Sequence, residues 1–338
     1  NVLSVGGDFM NSGTFSYSAG SHGTHFQATA TGHAIEDGTN NFDYVSFNGV
    51  GGGWSFSSAV TLSGDLTMNG GTLSGTQNIT VNNGYVNGDG TINLTGGTFL
   101  LDGTGNFGGN TAWTFHDLTF GNGSGTTATT TTGTGDVTVS GVMTVAANQT
   151  LDAKDKTWTI SGTNGTPLVI TGTLDDSTNT STFTFTGNNA SGNTTIPAST
   201  AYHSLTINNA SETYTMAFSP YTLSGNLAVT AGTLGGAPDA LYVSGGNVTG
   251  NGTITFTAGR LQVAGTGNFG GDTAWSVSNL EFGNGVDTTT TTATGTGGIT
   301  VAESFTIAAN KVLSGGSKTW TLADSTTFLT DPVALRHS

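Results

Sequence analysis

From Val60 to Gly103 the chain contains VTLSG, DLTMNG, GTLSG, NITVNNG, TINLTG and GTFLLDG in close succession. Each run alternates apolar residues with Thr, Ser or Asn and closes on Gly or Asn-Gly. Alternation with a period of two is the pattern of a strand buried on one face. Gly and Asn supply the positive φ angles that tight turns need. Strands this short, recurring every six or seven residues, sum in threes to a coil of about 20 residues, the even spacing of a solenoid. The sequence therefore predicts an all-β fold, a parallel β-helix (β-solenoid) of roughly 16 coils of about 20 residues. Stacked at about 4.8 Å per coil, they would make a rod on the order of 80 Å long.

The composition suits a narrow tube of this kind. The 338 residues include 55 Gly and 18 Phe, hydrophobic residues make up 34% and charged residues only 8%. Disordered chains combine low hydrophobicity with high charge and few aromatics, and this one lacks both of those traits. No segment has helical periodicity. Leu62, Leu66, Met68 and Leu73 are expected inside the tube, with Thr stacked on Thr outside it.

A second, longer period lies over the first. GTGNFGGNTAWTFHDLTFGNG at 103–123 matches GTGNFGGDTAWSVSNLEFGNG at 265–285. The similarity runs on through two Thr-rich stretches to KTWTI and KTWTL, and roughly 60% of positions from 103 to 160 are identical in the second copy. TLSGDLTMNGGTLSG at 61–75 likewise pairs with TLSGNLAVTAGTLGG at 222–236. The expected organisation is repeat unit 1 over 1–162, repeat unit 2 over 163–324 and a tail over 325–338. Val137 is replaced by Ile299, Met143 by Phe305 and Val145 by Ile307, so apolar character persists where the inward face should be.

GTGNFGG contains G-x-G-x-x-G, the pattern of a dinucleotide-binding loop. That reading needs a strand before it, a helix after it and an acidic residue about 20 positions on. NTAWTFHDLTF follows instead, which is β-like, and Asp117 and Glu281 come too early. The motif reads as a turn at equivalent corners, with Phe107 and Phe269 packed inward.

Other chemistry-bearing residues give no catalytic, cofactor or metal assignment. His22, His25 and His33 with Glu36 and Asp37 are the one cluster of metal-capable side chains, but their spacing matches no standard metal motif. Asp175-Asp176 is the sole adjacent pair of Asp residues. Asp65, Asp89, Asp102 and Asp136 become Asn226, Asn251, Ala264 and Gly298 in the second unit, the exchange expected of solvated residues. NGDG at 87–90 stands alone rather than repeating as a Ca²⁺-binding β-roll would. Sequons at Asn78, Asn93, Asn148 and Asn251 permit glycosylation without implying it. Trp113, Trp158, Trp275 and Trp320 recur in register, as packing at a repeat corner or as a sugar-stacking stripe.

The net charge of −15 excludes the basic footprint of a nucleic-acid binder and disfavours anionic membrane surfaces. No apolar run is long enough to span a bilayer as a helix, so no membrane insertion is expected. There is no Cys, hence no disulfide framework.

GGDFMNSGTFSYSAG, YVSFNG, HSLTINNA and TLSGNLAVTAGTLGG together resemble repeat-rich secreted bacterial β-solenoid proteins of the adhesin-like and autotransporter-passenger-like kind. The resemblance is one of rhythm and composition over nearly the whole chain. It implies an extracellular or cell-surface location and a structural role, not an enzyme and with no cofactor. The expected partner is the chain itself, a head-to-tail homopolymer forming a surface fibre or an adhesin stalk. The alternative is a carbohydrate-binding or polysaccharide-lyase-like β-helix protein, with surface glycans as partners.

Overall fold

A computed structural model describes residues 2–13, 23–38, 42–176, 180–198 and 202–323, and the course of the backbone over 327–330. Described residues form β-strands and turns only, and every strand pair in register is parallel. The chain is a β-solenoid. It divides into two compact units, Asn1–Ser161 with Leu168–Asp175, and Gly162–Pro167 with Asp176–Ser338.

In the first unit each coil gives one strand to each of three faces, termed A, B and C. Leu66–Met68 lies on face A, Thr72–Gly75 on face B and Ile79–Val81 on face C, and the chain then returns to face A at Val86–Asn87. Face A stacks nine described strands from Val2–Val5 to Thr173–Asp175, and face C stacks six from Val60–Leu62 to Leu168–Ile170. The second unit repeats the plan within itself, and its faces carry the letters of their repeat equivalents. There several strands bend around a corner without a break, such as Ser204–Met216 and Trp275–Phe282, and the register shifts at the bend.

The coil step is close to the expected 20 residues but not constant. Val45 pairs with Leu66 and Val86 with Phe107, steps of 21, whereas Phe107 pairs with Thr131 and Phe269 with Ala293, steps of 24. The longer step falls at the Thr-rich stretch in both units. With other steps near 21, the described residues make up about 14 turns, in keeping with the expected period.

The interior is built as the alternation predicts. Leu62, Leu66, Met68 and Leu73 are wholly buried, as are Phe107 and Phe269. Val137 and Ile299, Met143 and Phe305, and Val145 and Ile307 occupy equivalent buried positions. A buried side chain of this size contributes about 1.5–3 kcal/mol, and stacking coils makes the contribution recur along the tube.

Thr departs from the expectation in one layer. Thr129 and Thr131 of the strand Thr127–Thr131 point inward and are buried, as does Thr291 in the second unit. Two of these hydroxyls have polar partners inside the tube: Thr129 Oγ1 accepts from Gln149 Nε2 at 3.1 Å and Thr131 Oγ1 donates to the Asp152 carbonyl at 3.1 Å, whereas Thr291 Oγ1 is buried without a hydrogen-bond partner among the described residues. The long coil therefore has a partly polar interior.

Candidate functional site

The two GTGNFGG segments form the turns around face A strands Gly105–Gly108 and Gly267–Gly270. Their glycines answer to space and to backbone conformation. A Cβ on Gly109 would lie 1.8 Å from the Gly88 carbonyl oxygen of the preceding coil, and one on Gly271 would lie 1.7 Å from that of Gly250. Gly108 and Gly270 adopt φ of +121° and +115°, a region that side chains disfavour. Phe107 and Phe269 pack edge-on against Trp113 and Trp275, with ring centroids 5.4 Å apart in each unit.

The polarity of the second loop is opposite to that of a phosphate cradle. A phosphate site turns backbone N–H groups toward an anion; here carbonyl oxygens turn toward buried ammonium groups. Lys311 Nζ donates to Gly265 O at 2.7 Å, Ala264 O at 3.3 Å and Thr289 Oγ1 at 3.0 Å. Lys318 Nζ donates to Gly271 O and Gly297 O, both at 2.8 Å. Lysines thus pin both ends of the second GTGNFGG. In the first unit Lys156, the repeat equivalent of Lys318, donates to Gly133 O at 3.0 Å and Gly135 O at 2.6 Å. Gln149 stands where the second unit has Lys311.

Burial lowers the pKa of all three lysines, that of Lys311 to about 8. Three of the six Lys and Arg residues are therefore spent inside the tube as ties between coils. Charge-assisted bonds of this kind contribute about 1.5–3 kcal/mol each, and the carbonyls would be costly to bury unpaired.

Buried carboxylates are used in the same way. Glu212 accepts from the backbone N–H groups of Asn189 and Thr194, both at 2.8 Å. Asp176 Oδ2 accepts from the His203 backbone N–H at 2.8 Å and from the Ser181 hydroxyl. Its sequence neighbour Asp175 ends a face A strand and is exposed, so the acidic pair separates into one surface and one interior residue.

The histidine cluster also disperses. His22 lies outside the described residues. His33 Nδ1 meets Asp8 Oδ1 at 3.0 Å, and Asp37 is buried beside the Ser58 hydroxyl, 3.2 Å away. His25 sits edge-on to Tyr44. Among the described residues no group of three His, Asp or Glu converges as a metal site would.

Asp residues that change between units act as acceptors in ladders along the corners. Asn110 Nδ2 donates to Asp89 Oδ1 at 2.7 Å; in the second unit Asp272 N donates to Asn251 Oδ1 at 3.3 Å. The acid and the amide have exchanged places, and either oxygen serves.

Trp54, Trp113, Trp158 and Trp275 are buried, and Trp113 and Trp275 donate their indole N–H to Gly90 O and Gly252 O at 2.9 Å. They pack the corners and present no stacking stripe. Trp320 is half-buried, stacked at 6.2 Å on Phe269.

Sequence reasoning missed one surface constellation. On face C of the second unit, Tyr242, Gln262 and Glu281 lie in one outward column and Arg260 beside them. Arg260 Nη1 meets Glu281 Oε2 at 2.8 Å, its Nη2 donates to Tyr242 Oη at 2.8 Å, and its guanidinium lies 5.3 Å from the Tyr242 ring centroid. Gln262 Nε2 donates to Glu281 Oε1 at 3.1 Å. The repeat equivalents are Thr80, Thr98, Leu100 and Thr119, so aligning the two units residue by residue would have exposed the change.

Comparison with known proteins gives no further placement: no family model, no curated protein and no solved structure matches the chain.

Proposed function

We propose that this chain is a structural β-solenoid segment of an extracellular fibre or adhesin stalk. One observation carries the reading: side chains with reactive chemistry are consumed in holding coil to coil. Lys156, Lys311 and Lys318 tie carbonyls, Glu212 and Asp176 cap backbone N–H groups, and the Trp residues close corners. Such a chain invests its polar residues in persistence of shape. A coil also offers parallel strand edges that another coil of the same pitch can extend, so copies would stack head to tail into a filament. The resemblance to secreted adhesin-like proteins supports a cell-surface location. Electron microscopy of the purified chain over a concentration series tests the assembly: filaments that lengthen with concentration are expected, and isolated particles at every concentration would refute self-assembly by this chain.

A glycan-binding reading is favoured by a different observation, the Tyr242–Arg260–Gln262–Glu281 network. It offers an aromatic ring beside a planar cation and two polar groups on a surface strand. Binding on a glycan array that Arg260→Ala abolishes would establish it, and an array without a hit would remove it.

A further inference from the structure

Asn-Gly occurs eight times in the chain, beginning at Asn48, Asn69, Asn83, Asn87, Asn122, Asn164, Asn251 and Asn284. Glycine has no side chain to shield its own nitrogen, so in this dipeptide that nitrogen can reach the preceding Asn carboxamide. The coils treat the eight glycines differently. A Cβ on Gly49, Gly84, Gly88 or Gly252 would lie between 1.8 and 2.7 Å from backbone of a neighbouring coil. Gly70 and Gly252 donate their N–H groups to Phe47 O at 3.0 Å and Val229 O at 2.7 Å. The stack holds these peptide planes in place. Gly165 is in ordinary contact with Asn189 Nδ2, 3.4 Å from where its Cβ would be. Gly123 and Gly285 differ from the rest. Each has nothing within 4 Å of that point, and neither N–H has a hydrogen-bond partner among the described residues. They are repeat equivalents, and the Asn before each is exposed.

The two turns hold the Asn side chain in the same way with different residues. Asn122 Oδ1 accepts from the Ser124 N–H at 2.7 Å and from the Ser124 hydroxyl. Asn284 Oδ1 accepts from the Val286 N–H at 2.9 Å and the Asp287 N–H at 3.0 Å. A bond from Oδ1 to the N–H two residues on closes a ring that contains both the Asn Cγ and the intervening glycine nitrogen. The donors on Oδ1 draw electron density from Cγ and make it the better electrophile. On the other side of the amide, Asn122 Nδ2 donates to Asp102 Oδ2 at 2.6 Å, and Asn284 Nδ2 to Asp287 Oδ2 at 2.7 Å. Asp102 is replaced by Ala264 in the second unit, where the carboxylate comes from within the turn and sets the same amide orientation.

We infer that Asn122 and Asn284 are sites of spontaneous deamidation in the folded protein. The glycine nitrogen gives its proton to water and bonds to Cγ. The Cγ–Nδ2 bond breaks, and the amide nitrogen takes a proton from water and leaves as ammonia. Water then opens the succinimide at either carbonyl, giving Asp or an isoaspartyl residue. Each event consumes one water, releases one ammonia and adds one carboxylate. An isoaspartyl link also lengthens the backbone by one methylene. At these two corners it enters open space, whereas beside Gly49 or Gly252 it would push into the adjoining coil. The protein therefore gains charge at equivalent corners while its coils stay stacked.

The test is peptide mapping by mass spectrometry of the full chain held folded at mildly alkaline pH, with samples unfolded and digested by pepsin in acid to halt the reaction. Asn122 and Asn284 should convert together, to both Asp and isoaspartyl forms, while Asn69 and Asn251 stay intact. A chain held in guanidinium chloride should convert all four alike. Conversion of Asn69 or Asn251 as fast as Asn122 in the folded chain would overturn the inference. So would intact Asn122 and Asn284 at times when the unfolded chain has converted. Asp without any isoaspartyl product would indicate direct hydrolysis and overturn the succinimide route. Gly123→Ala, which sets a methyl beside the attacking nitrogen, should sharply slow conversion at Asn122 and leave Asn284 of the same molecule unchanged; an unaltered rate at Asn122 would count against the route. Circular dichroism melting checks that this variant folds, and the comparison of sites within the wild-type chain stands without it. None of these outcomes depends on whether the chain forms filaments.

Discussion

Lys311 is the residue at which the interior is most demanding. Its ammonium is fully buried, and burial lowers its pKa from 10.5 to about 8. Below pH 8 the folded and unfolded states are both protonated there, and the cost of burying the charge is fully present. Between pH 8 and 10.5 the unfolded chain holds the proton that the folded chain has released, so stability rises with pH. Above 10.5 the contribution is level. Lys311→Gln, which copies Gln149 of the first unit, removes this titration. Relative to that variant the wild-type chain should gain roughly 1–3 kcal/mol between pH 7.5 and 10.5, read from urea midpoints at each pH. Sequence alone did not reveal the tie. A lysine in a Thr-rich, strand-forming stretch reads as surface, and only the two preceding coils together supply the three acceptors.

At the scale of the coil, corners decide what the strands can do. Inward positions were legible because alternation fixes which side chains enter the tube, and Phe107, Trp113 and their repeat partners follow it. The three-face path was legible too, from the run lengths. The inward turn of Thr129, Thr131 and Thr291 was not, since Thr suits either side of a strand, and for Thr129 and Thr131 the polar partner comes from another coil. Glycines separate two corner demands. Gly109 has its neighbour's carbonyl where a Cβ would go, whereas Gly123 has φ of +82° and open space around it. Gly109→Ala should cost about 3 kcal/mol or more, because backbone of the adjoining coil must move. Gly123→Ala should cost only about 1 kcal/mol, the strain of the left-handed conformation. Thermal melts of the two variants distinguish crowding from conformation.

For the whole molecule, charge is the governing quantity. The chain carries −15 at neutral pH, with a sequence pI near 4.3. Among the described residues three cations (Lys156, Lys311 and Lys318) and three carboxylates (Asp37, Asp176 and Glu212) lie inside, so the exterior keeps the negative balance of the totals. Copies repel laterally at pH 7, and association along the uncharged faces is held off by the carboxylates elsewhere. Acidification to about pH 4.3 should therefore bring side-by-side association, visible as turbidity and reversed on return to pH 7. Added salt at pH 7 should have a weaker effect in the same direction, since it screens rather than removes the charge.

The inward lysines have one more consequence, for how the protein meets proteases and amine-reactive chemicals. Proteases that cut after Lys or Arg must seat the cation in a pocket and draw several flanking residues into an extended strand. Lys156, Lys311 and Lys318 offer neither, being enclosed and already paired along the tube. Lys154 and Arg260 are partly exposed but held by Asp152 and Glu281 at 2.7 and 2.8 Å. The same enclosure shields those amines from aldehydes and reducing sugars. Digestion and chemical ageing at these sites must wait for a coil to open.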